Sequence, residues 1–451
     1  MKKYSKILLA ALGLFTFVSC EDVLDVEPTT AIEAEGSVVD FITLDRSTLG
    51  AYSALQSTNY YGLRYLLYQG LYADDISFSG TFTTDREVAS KRINSSNLQI
   101  ANTWSSIYTA INRANIVIRD AQRLTNISDE QRNQIIGEMK FIRGLAHFDL
   151  LKVYGGVPVV TTPTTSIEEI QLLPRATEAQ VYEAIIADLQ DAETKLEGIT
   201  QIQRASEYAP VALLARVYLQ RGNYAEAAAK ATKVIESGQF ELLDDFATLF
   251  TNEGNDESIF ELDFTMNDAN GLGTASDPTS SGQRFYVSAN AYAALEASAN
   301  EGDERFEATT TIQRNRRRLI KYDDVSNNAD NVIVIRLAEM FLIRAEANAR
   351  MASGSEAASS SVLSDINIIR ERAGLMTVED ISNAEALQEI LEQRRLEFVG
   401  EGLRFMDLKR YNLTCDLLEF CEDTGETFRN LWPIPLQQIE VNPGLTQNPG
   451  Y

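Results

Sequence analysis

Residues 208–238 read YAPVALLARVYLQRGNYAEAAAKATKVIESG. Ala212, Leu213, Ala215, Val217, Tyr218 and Leu219 form one run of apolar residues at helical steps. Arg221-Gly222-Asn223-Tyr224 interrupts it with turn chemistry, and 225–235 resumes a second helical run. The stretch therefore predicts helix, tight turn, helix. One helix of such a pair cannot bury its apolar face alone, so neighbouring pairs are expected to stack into a short solenoid.

The spacing of Leu, Ala, Gly-x-Tyr and Ala resembles a tetratricopeptide helix pair. Residues 338–352 with 356–372 read as a second pair, and 101–123 with 130–153 as a third, less regular one. Further helices are expected over 41–56, and over 97–123, where Trp104, Ile107, Tyr108, Ile111, Ala114 and Ile118 recur at three- and four-residue steps. The next is expected over 129–153, after an N-cap within Asn126-Ile127-Ser128-Asp129-Glu130, ending at Gly155-Gly156. Thr177 and Gln180 fit a capping box opening a helix over 177–196. Between 239 and 331 the pattern breaks into segments rich in Gly, Asn, Asp, Ser and Thr. Ser258-Ile259-Phe260-Glu261-Leu262-Asp263-Phe264 alternates and predicts a short strand. Irregular segments in a helical body often carry function, which makes 265–290 the first place to look for a ligand-contacting surface.

The N-terminus reads as an address. Lys2, Lys3 and Lys6 precede an apolar stretch over 7–18, too short to span a bilayer. Phe17-Val18-Ser19-Cys20 resembles a bacterial lipobox, so 1–19 is expected to be a signal peptide and Cys20 an acylated N-terminus. The alternative is an ordinary signal peptide with an incidental Cys. Residues 20–37, acidic and broken by Pro28, form the expected tether, and 38–451 a single body. Glu21-Asp22 resembles an acidic signal for display on the outer surface. The whole chain carries a net charge of −25, with three of its lysines in the leader. So acidic a body repels phosphate backbones and argues against nucleic-acid binding or adsorption on an anionic membrane. Cys415 and Cys421 are placed to close a small disulfide in an oxidising exterior, with two reduced thiols as the alternative. The one histidine, His147, leaves little room for histidine-based catalysis or zinc sites.

Four segments, in order, carry a resemblance. The first runs from Phe141-Ile142-Arg143-Gly144-Leu145-Ala146-His147-Phe148-Asp149-Leu150 to Val153-Tyr154-Gly155-Gly156-Val157-Pro158. The second, over 334–347, reads VIRLAEMFLIRAEA. The third is Gln393-Arg394-Arg395-Leu396-Glu397-Phe398, continued by Glu401-Gly402-Leu403-Arg404-Phe405-Met406-Asp407-Leu408-Lys409-Arg410. The fourth is Leu431-Trp432-Pro433-Ile434-Pro435, running on to Asn442-Pro443-Gly444 and the closing Asn448-Pro449-Gly450-Tyr451. This order resembles the SusD/RagB family of outer-membrane nutrient-binding lipoproteins over nearly the whole mature chain. Gln393 stands where the family motif usually carries Glu. The fold expected is mainly α: tetratricopeptide-like helical pairs in a right-handed superhelix, with a large irregular, loop-rich excursion (about 239–331) containing short strands. The resemblance further implies a surface lipoprotein that captures glycan fragments, or in one branch peptides, over a TonB-dependent β-barrel transporter of the SusC type.

Arg395, Glu397, Glu401, Arg404 and Asp407 read as internal ion pairs rather than catalytic carboxylates, and Trp432 as a packing anchor. His147, between Ala146 and Phe148, reads as a packed, hydrogen-bonded residue. Arg314, Arg316, Arg317 and Arg318, followed by Asp323 and Asp324, read as a solvated, compensated loop. Tyr61, Tyr65, Tyr68 and Tyr72 share a helical face and read as core. Sugar recognition needs flat aromatic faces with Asp, Asn or Arg beside them. That assigns Asp74, Asp75, Phe78, Phe82, Arg86 and Arg92 to a candidate binding surface. The resemblance adds Arg284, Phe285, Tyr286 and Tyr292 from the excursion. No cofactor is expected. Asp323, Asp324, Asn327, Asn328 and Asp330 offer oxygens for calcium, without EF-hand spacing. The reading is of a binding protein, not an enzyme. Its rivals are peptide capture on the same scaffold, a lipid-anchored glycosidase, and a purely structural adaptor.

Overall fold

Tyr208–Arg221 and Tyr224–Ile235 form two helices, joined where Gly222 adopts φ +87° and donates its N–H to the carbonyls of Tyr218 and Leu219. The computed structural model describes residues 37–251, 253–281, 284–418, 420–421 and 427–451. The expected leader, Cys20 and residues 20–36 of the tether lie outside them. Helices of seven or more residues are α1 (Phe41–Leu55), α2 (Arg64–Tyr72), α3 (Thr83–Ala89), α4 (Leu98–Arg123), α5 (Asp129–Tyr154), α6 (Glu178–Lys195), α7 (Tyr208–Arg221) and α8 (Tyr224–Ile235). They continue with α9 (Ala289–Ala299), α10 (Leu337–Met351), α11 (Ser360–Arg372), α12 (Asn383–Glu397) and α13 (Arg404–Arg410). From α4 to α8 each helix packs on the next, and α8 packs directly on α10, which carries α11 and α12. The solenoid is thus continuous although about a hundred residues intervene between α8 and α10. Residues 40–451 form one compact unit.

The helix starts follow local chemistry. Asn97 accepts from the N–H groups of Gln99 and Ile100, and Ser128, Thr177 and Ser382 each form a capping box with the residue three further on. From Phe141 to Tyr154, α5 is buried on every side, so it is the central helix rather than an amphipathic surface one. The expected 356–372 helix begins later, at Ser360, capped by Ser359. α2 begins only at Arg64, which leaves Tyr61 in the preceding turn. All four tyrosines of the stripe are nevertheless buried. Their hydroxyls are satisfied: Tyr61 donates to Asp149, Tyr65 to the Asp149 carbonyl, Tyr68 to Asp85 and Tyr72 to the Arg429 carbonyl.

The excursion is more ordered than its composition predicts. It holds α9 and the strands β2 (Ser258–Leu262), β3 (Phe285–Val287), β4 (Thr310–Gln313) and β5 (Arg316–Leu319). Two more strands, β1 (Ile76–Phe78) and β6 (Val332–Arg336), lie outside it, and the pairs β1–β3, β2–β6 and β4–β5 are all antiparallel. β2 is buried at every position, not at alternate ones. Its polar Glu261 is held inside through one oxygen, which accepts from Gly254 N and Asn331 Nδ2, while the other has no partner in the protein.

A buried ion lattice locks the excursion to the solenoid. Arg336, at the end of β6, donates to Glu257, Glu397 and Glu401. Glu397 also receives Arg305 and Arg372, and Lys321 pairs with Glu401 at 2.7 Å. Burial alone would raise the Glu397 carboxyl, but Arg372, Arg336 and Arg305 outweigh it and hold it far below the usual range. Asp407 pairs with Arg394 and Arg410, and Arg404 reaches across to Asp74 at 2.8 Å. Gln393 accepts from Arg305 (2.8 Å) and donates to Glu389 (2.9 Å), so an amide serves where Arg305 already has two carboxylates.

Trp432 is fully buried, edge-on to the rings of Tyr68, Tyr72 and Tyr154. Asn448 closes the C-terminus by donating to the carbonyls of Tyr154 and Trp432. Cys415 and Cys421 form a disulfide with Cα atoms 4.9 Å apart. His147 accepts from Val160 N through Nε2 and faces the Arg143 carbonyl through Nδ1. Burial pulls its pKa down to about 4, so it is a neutral packing residue.

Candidate ligand-binding face

The β1–β3 ribbon gathers part of the expected surface. Phe78 pairs with Phe285 in the strand register, with ring centroids 5.4 Å apart. The pairing continues beyond the strands, where Ser79 N donates to Arg284 O, while Arg284 N donates to Ala275 O. With both backbone groups held, the Arg284 side chain lies over the Phe82 ring, its guanidinium carbon 4.4 Å from the centroid. That is a cation–π contact at a partly exposed site, worth about 0.5–1 kcal/mol. Phe82 itself is 52% exposed, directly before α3. In the turn between them lies Gly80, where a Cβ would sit 2.4 Å from the tip of the Phe78 ring and would make that ring shift. Arg86, exposed on α3, donates to the Gly80 carbonyl and braces the same turn.

Not every expected residue reaches this face. Asp74 is consumed by Arg404, with Arg395 at 3.9 Å. Asp75 is 1% exposed, and burial together with the neighbouring Asp74 pushes its carboxyl up to about 8, so it stands protonated at neutral pH. Neither offers a carboxylate to a ligand, which corrects their sequence assignment: both sit where α2 hands over to β1, inside the body. Phe285 and Tyr286 are also interior, 3% and 5% exposed, and support the face from beneath. Tyr292 lies half-buried on α9, edge-on to Phe306 at 5.2 Å, and Arg92 is exposed beyond α3. The residues brought together at the surface are Phe78, Phe82, Arg86 and Arg284.

The β4–β5 hairpin extends this ribbon, a juxtaposition sequence reasoning missed. Arg316 lies 5.4 Å from the Tyr286 ring centroid, and Arg317 Nε donates to the Val287 carbonyl. Arg318 pairs with Asp277 at 3.6 Å and donates to the Asp323 carbonyl. Arg316, Arg317 and Arg318 are thus strand residues rather than loop residues, the first two touching β3 and the third compensated by Asp277, while Arg314 lies in the hairpin turn. Only a long-range strand contact reveals it, and no local signal carries that information. Three of the expected calcium ligands are engaged within the protein: Asp324 accepts from Asn327 N, Asp330 accepts from Asp324 N, and Asn328 accepts from Thr274, while Asp323 and Asn327 are exposed. Among the described residues no group of three or more His, Cys, Asp or Glu has a metal-holding arrangement. No described helix is long and apolar enough to cross a membrane.

Two family models match in succession. "Starch-binding associating with outer membrane" (SusD-like) covers residues 22–219, and the SusD family model covers 279–451. SusD-like protein P2 of Formosa agariphila is 28% identical, with all of both chains covered. SusD-like protein P25 of the same organism is 26% identical over 99% of this chain and 98% of its own. Among solved structures, a SusD superfamily protein from Bacteroides thetaiotaomicron aligns with a TM-score of 0.81 at 24% identity, covering 91% of this chain and all of its own. A laminarin-binding SusD-like protein aligns with a TM-score of 0.78 at 25% identity, covering 91% of this chain and 99% of its own. The solenoid, the ion lattice built from the third motif and the two consecutive matches lead to one assignment: this chain belongs to the SusD/RagB family.

Proposed function

We propose that this protein captures oligosaccharide at the Phe82–Arg284 face and passes it to a TonB-dependent β-barrel transporter of the SusC type, without catalysis. The observation that carries the reading is the exposed Phe82 ring with Arg284 stacked over it, beside the half-buried Phe78. Aromatic faces accept the C–H faces of a pyranose, and the guanidinium and hydroxyl-bearing Ser79 supply donors to its hydroxyls. The starch and laminarin named for related proteins make neutral glucans the first ligands to test. Acylation at Cys20 would hold the body at the outer membrane, facing the exterior. Several acyl chains anchor far more firmly than one, at about 0.8 kcal/mol per buried CH₂.

Calorimetric titration of the protein with laminarin, starch fragments and other glycans tests the capture role. Binding that is lost in a Phe82→Ala, Arg284→Ala double variant is the expected result. No glycan bound, with binding to peptides instead, would overturn the ligand class. For the anchor, a Cys20→Ser variant is expected to leave the membrane fraction. If it stays there, the lipidation reading is wrong.

A further inference from the structure

A recess of about 330 Å³ opens between the 199–208 segment, the stretch after α8 and the approach to β2, and shares no residue with the Phe82–Arg284 face. Its walls include Tyr208 and Phe240, whose rings meet edge to face at 5.8 Å, and the amide side chains of Gln201, Gln203 and Gln239. Its lining includes Ser206 and Ser258, 2% and 1% exposed, and neither Oγ has a hydrogen-bond partner in the protein. Leaving a buried hydroxyl unpaired costs about 1–3 kcal/mol. Two such groups lining one recess therefore make it a place where a ligand's own polar groups recover that cost.

A wider recess of about 630 Å³ between α4 and the 158–173 segment makes the contrast. There Tyr108 already donates to the Pro158 carbonyl and Asn112 exchanges hydrogen bonds with Thr164. Tyr108 and Asn112 are committed there, whereas in the smaller recess the Ser206 and Ser258 hydroxyls have no protein partner.

We propose that the recess lined by Ser206, Ser258, Tyr208 and Phe240 is a second ligand site, taking a small neutral polyhydroxylated molecule of one or two sugar rings. Its volume stands at the low end of the roughly 300–1,000 Å³ of small-molecule sites, which limits the ligand's size. Among the described lining residues Asp256 is the only charged one, so a zwitterion or a dianion finds no matched pair there. Amides and hydroxyls that both donate and accept, beside aromatic rings, match hydroxyls carried on a C–H-faced ring. The proposal stands apart from the capture face and does not require it.

Saturation-transfer NMR and calorimetry of the full chain with glucose, galactose, mannose, xylose, maltose and cellobiose test it. The expected result is binding of at least one of these, weakened roughly tenfold by Phe240→Ala, as for loss of one aromatic contact. Ser258→Ala, which deletes a single atom, is expected to weaken it as well, and to do so equally in a Phe82→Ala background, where the capture face is removed. Ser258→Ala removes an unpaired buried hydroxyl and is expected to unfold no lower than the parent chain, which keeps that arm readable if Phe240→Ala fails to fold. No binding of any of the six sugars overturns the proposal, as does binding abolished by Phe82→Ala and indifferent to Ser258→Ala.

Discussion

Around Arg336 and around Phe82 the chain uses the same residue types, arginine, carboxylate or its substitutes, and aromatic rings. At Arg336 the guanidinium is buried among Glu257, Glu397 and Glu401, and the Phe398 ring lies 4.4 Å from it. At Phe82 the arginine stacks on a ring that is half open to water. The first arrangement spends every donor on the protein, and removing one partner strands several buried charges. The second keeps a half-exposed ring at the surface, so its removal strands no buried charge. The difference teaches that burial, not residue type, separates a scaffold from a binding surface here. It also orders the consequences of mutation.

The largest effect is expected at the lattice. Arg336→Met leaves Glu257, Glu397 and Glu401 short of one buried cation and should destabilise the fold by about 3–5 kcal/mol. Chemical denaturation reads this, and a loss below about 1 kcal/mol, the level of an exposed pair, would show the lattice to be slack. Next comes Asp75, where the two regions meet: Ser288 N donates to its carbonyl and ties the end of β3 to it. The ordinary carboxyl value is 3.8, raised to about 8 in the folded chain. Between these values the unfolded chain is ionised while the folded one holds a proton. Stability from this group is thus complete below about 4 and falls as pH rises through 8. Asp75→Asn escapes that loss, so it should be the more stable protein at pH 7, by a margin that widens from pH 4 to pH 8. Equal stability of the two proteins across that window would place Asp75 in a wetter site.

His147 runs the other way. Its pKa falls from 6.5 to about 4 on folding, so the unfolded chain takes up the proton first as the solution is acidified. Its contribution is intact above about 6.5 and is lost as pH falls toward 4. His147→Gln should flatten the acid limb of the stability curve, leaving the Asp75 limb untouched. A smaller loss is expected from opening the disulfide. Cys415→Ser with Cys421→Ser releases a short loop, for which chain entropy gives about 2 kcal/mol, and ligand binding should not change.

The helices were legible because their information is local: caps at Ser128 and Thr177, and the Gly222 turn, sit within a few residues of what they determine. The lattice was legible only in outline. Asp407 finds Arg394 and Arg410 nearby in the chain, but the partners of Arg404 and Glu397, Asp74 and Arg336, lie 330 and 61 residues away. The candidate face was half legible. Phe78 and Phe82 were marked by their polar surroundings, and so were Asp74 and Asp75. Phe82 emerges exposed after the paired strand, whereas Asp74 and Asp75 lie just before it, the one taken by Arg404 and the other buried. Nothing in the order of residues 74–82 distinguishes them, because the partner strand is 209 residues further on.

The last test is the smallest in energy and the sharpest in meaning. Phe82→Ala removes a ring that is half exposed, so its stability cost should be near the ±0.5 kcal/mol of ordinary surface substitutions. A ligand that stacks on that ring loses about 0.5–1.5 kcal/mol, up to roughly tenfold in affinity. Arg284→Lys keeps the charge but not the planar stacking, and should weaken glycan binding almost as much as Arg284→Ala. If binding fell only in step with stability, Phe82 would belong with Arg336 as scaffold, and the distinction between the two regions would fail. If affinity falls while the unfolding curve stays in place, the exposed ring is there for a partner outside the chain.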